Sequence, residues 1–373
     1  MKIAYVSLHW PRTHESGVGK KIASQIQAWR ECGHTAMLFM HTHEVSAASA
    51  LLEGNKFFYT ISRKPGLGFI ETEIRRITAL KELLAELRRY QPDIIYLRYG
   101  MYTFPVHLLK QIAPTIIEIN TNDLSQHNLL GITYSIYNSI SRNILYSNVD
   151  GMAFVSHELS NDASFLAFGK KSVVIGNGIN TRAAKPFPAP KNDVPCLVFI
   201  GSPHFAWHGI EKLIHFADRF PDIHIDIIGD SIEEKRVPGV SSIPNNIKSH
   251  GYLLEEQYNQ ILARADASIG TLSLYVKNMN EASPLKIREC AAAGLPLVLP
   301  YQDTDLDDLA LDTILHIPNN KDNIITHGQA IHDFLYEVRG KRLDTKIVNP
   351  RIDIYEKEKK RLAFFQTFLV RNN

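Results

Sequence analysis

The feature that most limits what this chain can fold into is a repeating alternation. Short apolar runs of strand length alternate with segments whose apolar residues recur at helical spacing, and the pattern occurs twice. In the first half, Lys2–Leu8 precedes a helix predicted over Lys20–Glu31, with Ile22, Ile26 and Trp29 on one face and Gly33 as its stop. Ala36–Met40 is the next strand. A helix over Glu73–Tyr90 sets Ile74, Ile77, Leu80, Leu84 and Leu87 on one face and Arg75, Arg76, Arg88 and Arg89 outside it. Strands at Asp93–Tyr96, Thr115–Ile119 and Gly151–Val155 follow. Strands interleaved with helices of this length predict an α/β fold with parallel, doubly wound sheets.

Between 176 and 195 the texture changes. GNGINTRAAKPFPAPKNDVP carries four prolines and little periodicity, and reads as an interdomain connection. The alternation then restarts with strands at Cys196–Gly201, Ile223–Ile228, Ala267–Gly270 and Leu297–Leu299, and helices over Ile210–Arg219, Glu255–Arg264 and Leu285–Ala293. The expected organisation is two Rossmann-like domains, 1–178 and 179–350, facing a cleft at the C-terminal ends of their strands. Residues 351–373 should form a helix that crosses back on to the N-terminal domain, burying Leu362, Phe365, Phe368 and Leu369.

Composition narrows the function. With 41 basic and 39 acidic residues among 373, the chain lacks the basic excess of a general nucleic-acid binder. Cys32, Cys196 and Cys290 are scattered, without the spacing of a zinc site or a disulfide framework, which fits a reducing cytoplasm. The start MKIAYVSLHWP reads as a strand rather than a signal peptide, and no apolar run is long enough to span a membrane.

Two stretches suggest anion binding. ESGVGKKI (15–22) follows a strand and opens a helix, but a phosphate-binding P-loop needs a glycine where His14 stands and a hydroxyl where Lys21 stands. It remains a glycine turn at a helix start, a place that favours anions. The second stretch, NEASPLKIRECAAAGLPLVLP (280–300), is more informative. Pro284 suits the first turn of a helix, Ser283 can cap it and Gly294 ends it. Glu281 then lies just before the helix and Glu289 inside it, with the amides of Ala282, Ser283 and Leu285 between them. A sugar diphosphate suits such a site, because amides take phosphate and carboxylates accept from sugar hydroxyls. An ordinary capped helix with a surface glutamate is the alternative reading.

The 280–300 stretch resembles the Glu-x7-Glu motif of the retaining GT-B glycosyltransferases of family four, in the variant reading Ser-Pro-Leu-Lys before the second glutamate. The resemblance extends along the chain through SGVGKKIASQIQAWRECGHTA, PDIIYLRY (92–99), VDGMAFVSHEL (149–159), VIGNGIN (174–180), LVFIGS…HGIEKLI, IDIIGDS and IKSHGYLLEEQYNQILARADASI. It implies a nucleotide sugar, UDP-linked in preference to GDP-linked, bound by the C-terminal domain. A glycan or lipid-linked acceptor would bind the N-terminal domain. The implied mechanism is front-face displacement without a metal or other cofactor, in cell-surface polysaccharide assembly.

Carried over residue by residue, Glu289 would bind the donor ribose and Glu281 the transferred sugar. Ala282, Ser283, Pro284, Leu285 and Lys286 would hold sugar and diphosphate, with Gly17 and Gly201 approaching closely and Tyr252 and Leu253 beside the nucleotide. The family's Arg and Lys diphosphate clamp is replaced here: Ser202 follows Gly201, and His208 precedes Gly209. The missing charge is assigned to a protonated His208 together with Lys286, with Lys212 as a further source. Asn120, Asp123 and Lys21 are the candidate acceptor or sugar contacts. Arg63, Lys64, Arg75 and Arg76 could meet an anionic membrane peripherally, or be solvated faces. Rival readings are a non-catalytic nucleotide-sugar-binding subunit with a degenerate clamp, a GT-B epimerase or phosphorylase-like enzyme, and, weakest, a P-loop kinase.

Overall fold

The computed structural model describes residues 1–8, 17–42, 54–59, 69–232 and 237–369. His14, Arg63 and Lys64 lie outside them. The chain divides into two units, Met1–Gly178 with Ile354–Asn373, and Ile179–Asp353.

The first unit runs β1 (Lys2–Ser7), α1 (Gly17–Glu31), β2 (Thr35–Thr42), β3 (Lys56–Tyr59), α2 (Phe69–Tyr90), β4 (Ile94–Arg98), β5 (Thr115–Ile119), α3 (Asp123–Leu130), α4 (Ile132–Ser147), β6 (Gly151–Phe154), α5 (His157–Asn161), α6 (Ala163–Leu166) and β7 (Lys171–Val174). All seven strands are parallel, in the order β3-β2-β1-β4-β5-β6-β7. The order reverses direction between β1 and β4, the place where ligands enter open α/β sheets. Ile3, Ala4, Tyr5 and Val6 are all fully buried, so both faces of the sheet are covered. That coverage is why these strands read as unbroken apolar runs.

The second unit runs β8 (Cys196–Ile200), α7 (Ile210–Arg219), β9 (His224–Ile228), β10 (Ile247–Ser249), α8 (Glu255–Arg264), β11 (Ala267–Ile269), β12 (Glu281–Ala282), α9 (Leu285–Ala292), β13 (Leu297–Leu299), β14 (Gln302–Asp303), β15 (Ile314–His316), α10 (Asn323–Val338) and α11 (Thr345–Ile352). Its main sheet is parallel, in the order β10-β9-β8-β11-β13-β15, with its reversal between β8 and β11. The three central strands each end directly in a glycine: Gly201, Gly229 and Gly270. A Cβ on Gly229 would lie 1.9 Å from the Gly201 carbonyl oxygen, and one on Gly270 would lie 2.8 Å from the Tyr301 ring. The loops at this end of the sheet therefore close on one another as only glycine permits.

The last helix, α12 (Ile354–Gln366), belongs to the first unit. Leu362, Phe364 and Phe365 join the core around Tyr5, Trp29 and Tyr96. Its charged turn is buried too, with Lys357, Glu358 and Arg361 each no more than 5% exposed. Among the described residues, no helix is long and apolar enough to cross a membrane.

Candidate functional site

In the second unit, the expected site residues gather at the C-terminal ends of β8 and β11. The loop leaving β8 turns through Ala206–His208, and Gly209 follows with a φ of +70°. A Cβ there would lie 2.7 Å from the Ser273 Oγ, so this glycine lets two loops cross. The crossing is pinned by the Leu272 amide donating to the His208 carbonyl and the Ser273 amide donating to the Trp207 carbonyl, both at 3.2 Å.

His208 faces inward, and its Nδ1 accepts from the Ser202 amide at 2.8 Å. Burial first, and Lys286 second, lower its pKa to about 3. The ring is therefore neutral at physiological pH. This corrects the expectation that His208 carries the clamp's charge.

Two lysines bring positive charge beside His208. The Lys286 Nζ donates to the Ile200 carbonyl at 2.6 Å and lies over the Phe199 ring. Lys277, which sequence reasoning missed, is half-buried with its Nζ 4.9 Å from the centre of the Trp207 ring. Burial lowers both to about 8, so both remain mostly charged at neutral pH. Neither forms an ion pair with a carboxylate among the described residues. Lys212 is committed elsewhere, its Nζ donating to the Leu272 and Asn320 carbonyls and to the Asn323 Oδ1. It braces the β11 loop rather than waiting for phosphate, which corrects its assignment to the diphosphate.

The 280–300 segment is built differently from its reading. Glu281 and Ala282 form β12, paired in parallel with β14, so their backbone is engaged in a ladder rather than standing open. Pro284 occupies the cap position of α9, and the Ser283 Oγ accepts from Arg288 at 2.8 Å. The helix's first amides, at Leu285 and Lys286, have no acceptor within α9, as at any helix start. Arg288 is fully buried and holds the arrangement together. It bonds Ser283 and Asp305, and forms an ion pair with the buried Asp303 of β14. Burial opposes its charge, but Asp303 and Asp305 outweigh that and raise its pKa. One side chain thus ties α9 to the strand pair that positions Glu281. Glu289 is half-buried, and the Tyr258 hydroxyl donates to its Oε2 at 2.9 Å. Tyr252 is exposed and Leu253 half-buried just beyond β10, after Gly251 with its φ of +68°. A Cβ on Gly201 would meet the Phe199 ring at 2.5 Å, so packing within the chain already demands that glycine.

In the first unit, Gly17 is the exposed first residue of α1. Lys21 and Asn120 are brought together, the Lys21 Nζ donating to the Asn120 Oδ1 at 2.9 Å. Lys21 is also paired with the buried Glu118 at 2.8 Å. Burial would raise Glu118, yet Lys21, Arg98 and Arg361 together hold it well below the usual carboxylate range. Lys21 is lowered to about 8, burial outweighing the pull of Glu118. Gln25 bonds both Glu118 and Glu358, and the Trp29 indole donates to Glu358 at 2.7 Å, so the network fastens α12 to α1. Asp123 is fully buried and held by Arg142 and Asn138. It pins α3 to α4 and is closed to an acceptor, a further correction. Arg75 and Arg76 pair with Glu71 and Glu73 on the surface of α2.

One group of described residues, Cys196, His224 and Asp226, brings three potential metal ligands within 4.8 Å of one another. The Arg264 guanidinium already lies on both Asp226 oxygens, at 2.7 and 2.8 Å. It occupies the place a cation would take.

Residues 16–183 match the family model of Glycosyltransferase Family 4, a match that covers residues 16–178 of the first unit and the opening residues of the second. No curated protein matches the sequence significantly. Among solved structures, the chain is similar over 98% of both lengths to a sucrose-phosphate synthase from Thermosynechococcus elongatus, with a TM-score of 0.70 and 14% identity. It is similar to a lipopolysaccharide outer core galactosyltransferase, with 98% of this chain and 100% of that one covered, a TM-score of 0.67 and 13% identity. An Anabaena protein solved in complex with UDP and glucose has the same coverage, a TM-score of 0.65 and 14% identity. The fold is that of the GT-B glycosyltransferases. At these identities the likeness concerns the fold alone.

Proposed function

We propose that the chain is a retaining, metal-independent glycosyltransferase that takes a sugar from a nucleotide diphosphate, UDP-linked in preference to GDP-linked. The observation that carries this reading is the pair Lys277 and Lys286. Both are desolvated, both lack a carboxylate partner among the described residues, and both stand close enough to His208 to lower its pKa. A protein pays for unpaired buried charge unless a ligand supplies the counter-charge. A diphosphate does so, with two lysines taking the part of the family's Arg and Lys. The α9 amides lie one residue from Lys286 and add a favourable dipole.

In this reading Glu289, oriented by Tyr258, accepts from the ribose hydroxyls, and Glu281, held by β12, meets the transferred sugar. Neutral His208, in the tautomer that leaves Nδ1 accepting from the Ser202 amide, donates one hydrogen bond through Nε2 towards sugar or phosphate. The protein positions the donor and stabilises charge developing on the leaving diphosphate. The donor's own phosphate oxygen receives the acceptor proton. The Anabaena neighbour's complex with UDP and glucose supports a UDP-sugar donor. The acceptor would be a glycan or lipid-linked sugar bound by the first unit, in cell-surface polysaccharide assembly.

The test uses water as a universal slow acceptor. The protein is incubated with UDP-glucose, UDP-galactose, UDP-N-acetylglucosamine and GDP-mannose, and proton NMR follows the first sugar released. Release of UDP with the α-anomer appearing first supports the reading. An inverted first product refutes retention. Epimerised donor with no UDP release would install the epimerase. Binding without any turnover would install the non-catalytic subunit.

A further inference from the structure

The helix α4 is built inside out. A surface helix ordinarily turns its apolar face to the core and its polar face to water. Here the inward residues include Asn138, Ser141 and Arg142, with Leu145 and Tyr146 beside them. The outward face carries Ile132, Ile136, Ile140 and Ile144, exposed by 77%, 55%, 68% and 43%. Tyr134 and Tyr137 are exposed next to them. The helix's one charged side chain, Arg142, is turned inward on to Asp123. An uncovered apolar surface of this kind marks a place where something binds.

We propose that two copies of this chain associate through the outer face of α4. The argument rests on shape and charge. The isoleucines recur every four residues and form one ridge along the helix. Beside it runs a row of small side chains with the same spacing, Ser135, Ser139, Asn143 and Ser147. The face thus carries both a ridge and the groove that fits it, and rows of this spacing interdigitate between helices. A surface complementary to itself is what a two-fold dimer requires.

The outward face of α4 itself bears no ionisable group except the two tyrosine hydroxyls, so the ridge brings no charge of its own to a second copy; the charges at its margin are Arg76, paired with Glu73 near Tyr137, and Lys170, held by the Ser147 carbonyl. The Tyr137 hydroxyl is held by the Tyr102 carbonyl at 2.8 Å, so that ring is fixed in place before a partner arrives. A lipid surface fits less well. Helices that lie in a membrane interface carry lysine and arginine along their polar side, and α4 has only the buried Arg142.

The test is sedimentation equilibrium of the full chain, as wild type and as Ile136→Lys and Ile140→Lys. The wild type is expected to dimerise at micromolar concentration. Each lysine enters the two-fold interface twice, so the dimer should weaken by ~100-fold or more while circular dichroism stays unchanged. A wild type that is monomeric at ~100 μM refutes the proposal. So does a dimer that both variants leave intact. If either variant misfolds, Ser139→Cys in a Cys32→Ser background replaces it. Cross-linking across the axis on mild oxidation supports the interface, and its absence in a sample shown to be dimeric refutes it. Wild-type monomer that floats with phosphatidylglycerol vesicles, and stops doing so as Ile140→Lys, overturns the proposal in favour of lipid.

Discussion

Lys277→Met separates a lysine kept for a ligand from one kept for the fold. In the unliganded protein the ammonium is a burden. A folded-state pKa of about 8 against the usual 10.5 corresponds to about 3 kcal/mol, at ~1.4 kcal/mol per pH unit. The sign follows from which state holds the proton. Below pH 8 both folded and unfolded chains are protonated, and the fold carries the whole penalty. Between 8 and 10.5 the unfolded chain binds more protons than the folded one, so stability rises with pH. Above 10.5 the penalty is gone. Methionine keeps the length of the stem and removes the charge. It also gives up the contact with Trp207, worth ~1 kcal/mol. The variant should therefore be more stable than wild type by ~2 kcal/mol at pH 7, and by nothing above pH 10.5. Urea denaturation without ligand at the two pH values measures this. In parallel, UDP affinity at pH 7, read by calorimetry, should fall by up to ~100-fold, since a diphosphate would have recovered the same ~3 kcal/mol. A variant less stable at pH 7, or one that binds UDP as wild type does, would refute the reasoning.

Other substitutions test neighbouring parts of the account. Tyr258→Phe removes one hydrogen bond to Glu289 and should raise the donor KM by ~10-fold with little change in kcat, whereas Glu289→Ala should raise it by ~100-fold. Glu118→Gln leaves Lys21, Arg98 and Arg361 buried around a neutral amide, and should lower stability by ~3–5 kcal/mol in chemical denaturation. Arg288→Met strands the fully buried Asp303 and should cost ~3 kcal/mol or more in chemical denaturation at neutral pH. Stability equal to wild type in either of the last two would show that the networks are ornamental.

Much of the scaffold was legible because its strands are buried on both faces and its helices carry separated apolar and polar sides. The helices at Ile210–Arg219 and Glu255–Arg264 and the strand at Thr115–Ile119 occupy the expected residues. What sequence reading missed has physical causes. ITYSIYNSISRNILYS has no charged face, and its many β-branched residues and serines are weak helix formers, so α4 gave no amphipathic signal. The polarity that hides it from a sequence reading is the same polarity that exposes its isoleucines. In α10, Gly328 and the Ile-Ile-Thr start blur the period in the same way.

The site was legible in its helix but not in its supports. Spacing alone placed Glu281 and Glu289 around a helix start. It could not show that Arg288, one residue before Glu289, points inward to Asp303 instead of outward to phosphate. Nor could it show that Lys277 reaches back over Trp207, seventy residues earlier in the chain. His208 and Asp123 were misjudged for one reason: a titratable side chain's role depends on its burial and its neighbours, and neither is local in sequence.

The central claim is that Lys277 and Lys286 await a diphosphate. The most direct test is calorimetric titration of UDP at pH 8 in two buffers of different ionisation enthalpy. Each lysine is then about half protonated, and diphosphate binding should complete both, so UDP should bind with an uptake of about one proton in total. Binding with no proton uptake, or no binding of UDP at all, would contradict the account.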